Sequence, residues 1–230
     1  MTSVTHKLEE VRARVTSAAR TRGRDPAAVR ILAVSKGQIP EAIRAAFAAG
    51  QRDFGENYVQ EAVAKMDELS DLPIVWHFIG RLQSNKTRFV AERCDWCHTV
   101  DRESVAERLS RQRPYHAPPL QVCIQVELGD AGHGGVPGGE LPALATRVAA
   151  LPRLRLRGLM CMPPPETEFE RQRAHFSRLR EYQEQLNAAG FALDVLSAGM
   201  SADLEAAVAE GATLVRIGTA IFGARPSGAE

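Results

Sequence analysis

The chain has 230 residues, 44% hydrophobic and 25% charged, and its 29 basic and 28 acidic residues give a net charge of +1. This is the composition of an ordinary globular protein, and the lack of a basic surplus argues against binding to nucleic acid or to an anionic membrane. The amino-terminal segment has no apolar core, so we expect neither a signal peptide nor a membrane span, and four irregularly spaced cysteines favour a reduced, cytoplasmic protein.

The first predicted element is an amphipathic helix within residues 1–25. Leu8, Val11 and Val15 recur there at helical spacing, and Pro26 follows the helix. Because this helix precedes the first predicted strand, we expect it to be an addition to the repeating units that follow.

From that point, short β-rich runs alternate with amphipathic helices. Strict alternation implies parallel strands joined by right-handed crossovers, and eight such units match a closed (β/α)8 TIM barrel. The alternative is an open doubly wound sheet. No break in composition marks a second domain, so we expect residues 1–230 to form one domain with a flexible tail at 224–230. The predicted strands are residues 31–36, 53–57, 74–79, 96–100, 120–126, 156–162, 193–196 and 213–217.

The first strand is an uninterrupted apolar run that ends in Lys36. Such runs are typical of strands that are buried on both faces. At the mouth of a barrel, a partly desolvated amine loses proton affinity and becomes a nucleophile toward carbonyl groups. The competing interpretation is a lysine whose stem covers apolar surface while its charge reaches solvent.

Other polar residues along the chain leave alternatives open. Asn57 ends the second strand, where it either lines the barrel mouth or caps the helix that begins at Tyr58. His77 is either a ligand or base, or a hydrogen-bonded core histidine. Residues 94–98 spell the haem-attachment pattern C-x-x-C-H, which we interpret as coincidence because the segment enters a strand, and zinc would need a second ligand pair. Asp101 is the predicted N-cap of the next helix.

The loops after the seventh and eighth strands are suited to an anion. After strand seven, a glycine precedes Met200 and Ser201, and we predict Ser201 as a helix N-cap whose neighbours offer free N–H groups. After strand eight come Gly218 and Thr219, with Arg216 just inside the strand end. These are the two loops at which (β/α)8 barrels often hold a phosphate.

A lysine amine at one strand end and a phosphate site across the same barrel mouth meet the requirements of pyridoxal phosphate. The same pair of features also suits a Schiff-base aldolase that acts on a phosphorylated sugar. The residues alone leave both alternatives open.

Six stretches of the chain resemble the pyridoxal phosphate homeostasis proteins, in order and over nearly the whole length. Long motifs of this kind are far more specific than any single residue. The stretches are AVSK at 33–36, FGENYVQE at 54–61, WHFIGRLQSNK at 76–86, GLM at 158–160, GMSAD at 199–203 and VRIGTAIFG at 215–223.

The resemblance implies a single (β/α)8 TIM barrel of the alanine racemase N-terminal-domain type. It also implies that Lys36 holds pyridoxal 5'-phosphate as an internal aldimine, that the loops after the last two strands hold the phosphate, and that Arg216 lies near the cofactor ring. The cofactor-binding residues expected on this basis are Lys36, Asn57, Met200, Ser201, Arg216, Gly218 and Thr219.

The function that the resemblance implies is a carrier and buffer of pyridoxal phosphate without established catalysis. We expect a cytoplasmic monomer, with apo forms of pyridoxal phosphate enzymes as candidate recipients. The alternatives are a weak pyridoxal phosphate-dependent amino-acid racemase, for which no second base is evident, and an adaptor whose cofactor is vestigial. The chain departs from the family where its 129–135 loop carries no lysine, which puts a secondary cofactor site in doubt, and also at Gly37, Gln38 and Arg81.

Overall fold

The computed structural model describes residues 3–129 and 134–223. Its first element is helix α1, Val4–Thr21, as the apolar spacing predicted. The hydroxyl of Ser3 caps this helix by accepting the backbone N–H of His6 at 3.2 Å. The buried face of the helix packs onto the core, and an ion pair between Arg14 and Glu205 ties its outer side to the rest of the chain.

Eight parallel strands form a closed barrel, which confirms the predicted (β/α)8 architecture and excludes an open sheet. Closure rests on β1 and β8, which are paired from Arg30 opposite Leu214 to Ala33 opposite Ile217. The strands are β1 Arg30–Val34, β2 Asp53–Glu56, β3 Val75–Phe78, β4 Trp96–Val100, β5 Leu120–Gln125, β6 Leu154–Met160, β7 Val195–Ser197 and β8 Leu214–Ile217.

Helices surround the barrel, and two short 3-10 turns, Pro26–Ala28 and Ser84–Lys86, lie before β1 and after β3. Within residues 3–129 and 134–223, no helix combines the length and apolarity that crossing a membrane would need. The helices after α1 are α2 Pro40–Ala48, α3 Val59–Glu68, α4 Thr87–Arg93, α5 Glu103–Gln112, α6 Leu141–Ala149, α7 Phe169–Ala188, α8 Leu204–Ala209 and α9 Thr219–Phe222.

Alternation along the strands separates two apolar cores. Successive strand side chains point to opposite faces, so Leu32 packs inside the barrel while its neighbour Ala33 packs under the helices. Leu214 and Val215 divide in the same way on β8. The interior core is small, and polar side chains share the interior with it. The barrel is therefore a filled structure whose open end is defined by the loops after the strands.

Several predicted boundaries were wrong. Strand β6 lies two residues before the predicted 156–162, and β7 begins two residues after the predicted residue 193. Three further differences bear on the site or on the start of a helix. Strand β1 ends at Val34, so Lys36 lies in the following turn. Helix α8 begins at Leu204, and Ser201 is not its N-cap; Asp203 holds that position, and its carboxylate accepts the backbone N–H of Met200 at 2.5 Å. Helix α5 is preceded by Arg102 at its N-cap position, because the carboxylate of Asp101 accepts from the Arg102 guanidinium instead.

Two other expectations lie wholly or partly outside the described residues. The flexible tail at 224–230 lies wholly outside them, and the loop at 129–135 partly so. The assignment of residues 1–230 to one domain stays a prediction.

Candidate functional site

A cleft of about 360 Å³ opens at the carboxyl ends of the strands. Parallel strands bring the residues that follow them to one rim, so positions far apart in sequence meet there. All seven candidate residues lie on this cleft. Its lining consists of Val34, Lys36, Gln38, Asn57, Ile79, Met162, Met200, Ser201, Ala202, Arg216, Gly218, Thr219 and Gly223.

Lys36 is half-buried in the turn after β1. The turn is closed by the N–H of Gln38, which donates to the carbonyl of Ser35 at 3.0 Å. Within the described ranges, the amine of Lys36 makes no hydrogen bond or ion pair. Nothing in this part of the chain therefore competes for its nitrogen lone pair once the amine is deprotonated.

A buried polar cluster fixes the backbone on both sides of Lys36. The amine of Lys65, on α3, donates to the carbonyl of Ser35 at 2.6 Å and to the carboxylates of Glu56 at 2.9 Å and Glu61 at 2.5 Å. The hydroxyl of Ser35 donates to Glu56 at 2.6 Å, and the N–H of Gly37 donates to Glu61 at 2.5 Å. Burial raises the pKa of Glu56, against the opposing effect of Lys65. We call Ser35, Glu56, Glu61 and Lys65 the Lys65 cluster.

The loop after β7 presents unpaired backbone N–H groups to the cleft. Its turn depends on Gly199, which has φ 91° and whose added Cβ would lie 2.5 Å from the Cβ of Ala207. In the part of the chain that the structure describes, the N–H groups of Ser201 and Ala202 donate to no protein acceptor. Together with the Ser201 hydroxyl, they form half of an anion cradle.

The loop after β8 supplies the other half of that cradle. Thr219 begins the four-residue helix α9, so its N–H and that of Ala220 have no partner within the helix. Gly218 lies close to strand β1, since an added Cβ would be 3.3 Å from the carbonyl of Val34. A side chain at this position would therefore narrow the cleft between the Lys36 turn and the Thr219 hydroxyl.

Arg216 is buried, with 4% of its surface exposed, beneath the cleft. Its Nη1 donates to the Ser197 carbonyl at 2.6 Å and to the Ser197 hydroxyl at 3.1 Å, and its Nη2 donates to the Cys161 carbonyl at 2.8 Å. These bonds use at most three of the five guanidinium N–H donors. The remaining donors are available to a ligand in the cleft.

Asn57 lines the cleft, and the alternative that it caps α3 was wrong because Tyr58 occupies the N-cap position. Its Oδ1 is buried and has no hydrogen-bond partner in the described structure. A buried, unpaired amide oxygen is costly unless a bound molecule supplies a donor. The position therefore favours a ligand with a hydroxyl or N–H near this wall of the cleft.

The backbone of Asn57 is packed directly against Gly80, so we predict a large effect for Gly80→Ala. An added Cβ would lie 1.9 Å from the Asn57 carbonyl oxygen, and a backbone atom can move away only by shifting the end of β2. We expect a loss of about 1–3 kcal/mol in the free energy of unfolding in urea.

Gly139→Ala is the matched control for that experiment, because its Cβ would meet nothing within 4 Å. We expect it to stay within about 0.5 kcal/mol of the wild type. Equal stability of the two variants would show that the ends of β2 and β3 lie farther apart than in this structure.

The charge of the cleft is one-sided. Among its described lining residues, the ionisable side chains are Lys36 and Arg216, and no carboxylate is present. With the N–H groups of the two loops, these cations favour an anionic ligand. The described lining holds no histidine, tyrosine, cysteine or carboxylate, so Lys36 is the one side chain there of a type that serves as a general acid or base.

Some residues at or near the cleft were not foreseen from the sequence. Gln38 and Ile79 line it without carrying a distinctive pattern. Of the alternatives for His77, the structure favours the core histidine, since its ring is fully buried and bonded to His98 and Asp53. The single signal for His98 was the C-x-x-C-H pattern, whose cysteines are buried free thiols.

The sequence of this chain matches one protein-family model and several named relatives. Residues 7–226 match the family described as alanine racemase, N-terminal domain. A relative from Pseudomonas aeruginosa, named pyridoxal phosphate homeostasis protein, is 56% identical over 230 residues, covering 100% of this chain and 99% of the relative.

Solved structures give the same result for the fold. PipY from Synechococcus elongatus PCC7942, solved with PLP bound, superposes with a TM-score of 0.82 and 41% identity over 91% of this chain and 100% of PipY. An alanine racemase from Clostridium difficile superposes with a TM-score of 0.75 at 12% identity, over 94% of this chain but 60% of the racemase. The second likeness concerns the fold alone, and it confirms the predicted barrel type.

Proposed function

Since the chain belongs to the family of pyridoxal phosphate homeostasis proteins, with the barrel of the alanine racemase N-terminal domain, we propose that it binds pyridoxal 5'-phosphate in the cleft. The observation that carries this proposal is the composition of the cleft: an unpaired lysine amine, a buried arginine and two loops of free N–H groups around one space. PipY, which is 41% identical to this chain, was solved with PLP bound.

The residues present fit the chemical groups of this cofactor. The cofactor would supply an aldehyde, and we assign the amine of Lys36 as the group that would hold it, through a bond that would form with loss of water. We assign the phosphate to the loops of Ser201, Gly218 and Thr219. We assign the unpaired Oδ1 of Asn57 to accept from a hydroxyl donor of the cofactor, and the exposed Met200 to contact the cofactor at the outer edge of the cleft.

Arg216 is proposed to face the ring nitrogen of the cofactor. A guanidinium only donates hydrogen bonds, so it favours an unprotonated ring nitrogen, whereas a carboxylate would favour a protonated one. An unprotonated ring withdraws electrons weakly, which suits storage of the cofactor better than turnover. Because the described lining also holds no second acid or base, we propose a protein that binds and releases the cofactor without catalysing a reaction on it.

We propose that the biological role is to limit free pyridoxal phosphate and to supply it to apo enzymes, as a cytoplasmic monomer. The net charge of +1 supports this assignment over one with nucleic-acid partners. The free, buried thiols of all four cysteines support a reducing compartment.

The alternative function is weak amino-acid racemisation, which the racemase-like barrel favours. Exchange of the α-hydrogen of alanine with deuterated solvent, if it required Lys36, would support racemisation over storage.

Absorbance and chemical trapping test the proposed function. Protein purified with pyridoxal phosphate is expected to show a visible band that borohydride removes, and peptide mapping should then find the reduced cofactor on Lys36. The chain contains four lysines, Lys7, Lys36, Lys65 and Lys86, so the site of attachment can be assigned without ambiguity. Protein that stays colourless with added cofactor would refute the proposal.

We predict that Ser201→Ala and Thr219→Ala each weaken cofactor binding. Each removes one hydroxyl from the proposed phosphate cradle, and a hydrogen bond to a charged group is worth about 1–3 kcal/mol. Equilibrium titration of the visible band gives the dissociation constant.

Ser177→Ala, which removes a hydroxyl on helix α7 away from the cleft, is the control for both variants and should leave binding unchanged. Unchanged affinity in both cradle variants would mean that the phosphate lies elsewhere.

A further inference from the structure

Five polar side chains form an unbroken chain of hydrogen bonds through the barrel interior. The contacts are Asp53 Oδ1 to His77 Nε2 at 2.9 Å, His77 Nδ1 to His98 Nε2 at 2.9 Å, His98 Nδ1 to Ser197 Oγ at 2.8 Å and Ser197 Oγ to Arg216 Nη1 at 3.1 Å. We call these residues the interior relay. It begins at the first residue of β2 and ends at Arg216, beneath the cleft.

The interior relay is buried almost throughout. His77, His98 and Ser197 have no exposed surface, and Arg216 has 4%. Polar groups in such a place destabilise the fold unless every one is satisfied, and a hydrophobic filling of the barrel would avoid that cost. The relay therefore has a role beyond filling space, and its two ends indicate what that role is.

The chemistry of the two ends gives the relay one direction. Arg216 only donates and the Asp53 carboxylate only accepts. The guanidinium donates a hydrogen bond to the Ser197 hydroxyl, and that hydroxyl in turn donates to Nδ1 of His98. A neutral His98 carries its proton on Nε2 and donates to His77, which donates from Nε2 to Asp53. The opposite order would place two acceptors against each other at Asp53 unless that carboxylate or an imidazole took up a further proton.

The surroundings favour the neutral form of both imidazoles. Burial lowers the pKa of His77 and lowers that of His98 further. Burial opposes ionisation of Asp53, but the hydrogen bond from His77 and the nearby Arg30 hold its pKa below the usual value. The charged groups that act on the two imidazoles are Asp53, Asp95, Arg30 and Arg216.

We propose that His77, His98 and Ser197 are positioning residues for the cofactor, which they orient through Arg216. Ser197 fixes the guanidinium by its carbonyl and by its hydroxyl, both of which accept from Arg216. The hydroxyl is oriented to accept because its own O–H donates to His98. The relay thereby fixes the guanidinium of Arg216 beneath the cleft, where it would face the ring of a bound cofactor. This inference rests on the proposed function.

The first test uses the protein without cofactor. Nitrogen-15 spectra of the labelled histidines, assigned with His77→Gln and His98→Gln, should show both rings neutral at pH 7 with the proton on Nε2. In Ser197→Ala the Nδ1 of His98 loses its donor, and its resonance should shift. A charged ring, or a proton on Nδ1 of either ring, would overturn the relay.

The second test uses the loaded protein and compares Ser197→Ala with Thr87→Val. Thr87, at the start of helix α4, is also fully buried. Its hydroxyl donates to the Ser84 carbonyl at 2.9 Å and accepts from Arg108 at 3.3 Å, and it hydrogen-bonds to no member of the relay. We expect Ser197→Ala to bind the cofactor about tenfold more weakly and to raise the pH midpoint of its visible band by about one unit, because a less firmly held cation repels the imine proton less.

Thr87→Val should keep the wild-type affinity and midpoint. Equal midpoints in Ser197→Ala and the wild type would overturn the positioning role, since a purely structural serine would alter stability alone. A wild-type protein with no visible band would refute the proposed function and with it the role toward the ring, whereas the histidine spectra would still report whether the relay exists.

Discussion

Lys36→Ala is expected to abolish the visible band of the protein and all borohydride-stable attachment of pyridoxal phosphate. The reason is chemical: the imine needs a primary amine inside the cleft, and Lys36 carries the one that the described lining provides. The phosphate loops stay intact in this variant. We therefore expect reversible, noncovalent binding to persist at much lower affinity, measurable by fluorescence quenching on titration with the cofactor.

The other lysines serve as controls for that experiment. Lys7 lies near the rim of the cleft, since an added Cβ at Gly223 would be 3.0 Å from its amine, and Lys86 lines a neighbouring pocket beside Asn57. Lys7→Ala and Lys86→Ala should keep the visible band. A band that survives Lys36→Ala and disappears in either control would move the covalent bond to that other lysine.

The barrel was predictable because one sequence pattern, an apolar run followed by an amphipathic helix, repeats along the chain. Eight apolar runs separated by amphipathic helices leave few topologies, and the carboxyl ends of parallel strands must share one rim. For the same reason, the sequence was sufficient to bring Lys36 and Thr219 to one cleft, although they stand at opposite ends of the chain. Residue contacts between strand ends follow from the fold once the strands are located.

The two wrongly predicted helix caps arose where a side chain had more than one available partner. Ser201 has the residue type of an N-cap, but the carboxylate of Asp203 accepts the Met200 N–H and moves the helix start to Leu204. Asp101 likewise accepts from a neighbouring guanidinium rather than from a helix N–H. Such choices depend on geometry within a few residues, which propensity does not resolve.

The polar networks were beyond prediction for a different reason. Lys65 and Glu61 are four residues apart on a helix, a spacing that is typical of a solvent-exposed ion pair. In the structure Lys65 is buried, because its helix packs over the turn that carries Lys36. The interior relay joins residues from five strands, and no local pattern connects them.

Lys65→Met is expected to destabilise the protein by about 3–5 kcal/mol, since removing one partner of a buried ion pair leaves a buried charge uncompensated. Lys65 has 4% of its surface exposed and Glu56 has 1%, and Oε2 of Glu56 already has no partner in the described structure. Urea unfolding measures the loss. Lys65→Met also removes the donor to the Ser35 carbonyl, so attachment of the cofactor at Lys36 should be slower.

The pH dependence distinguishes this cause from a simple packing defect. Burial raises the pKa of Glu56 in the folded state, and without Lys65 that effect is opposed only by the hydrogen bond from Ser35. A carboxyl whose pKa is raised on folding stabilises the protein below its unfolded pKa, and the stabilisation is lost as the pH rises through the folded pKa. The stability difference between Lys65→Met and the wild type should therefore be smallest near pH 4, about the unfolded pKa of glutamate, and grow toward neutral pH.

Glu56→Gln in the Lys65→Met background supplies the control. The amide carries no charge and has nearly the volume of the carboxyl, so the double variant should recover part of the lost stability and lose most of the pH dependence. If the double variant is no more stable than Lys65→Met, the cost lies in the lost packing of the lysine stem or in its bonds to Ser35 and Glu61. The turn that carries Lys36 would then be held chiefly by those bonds rather than by charge pairing at Glu56.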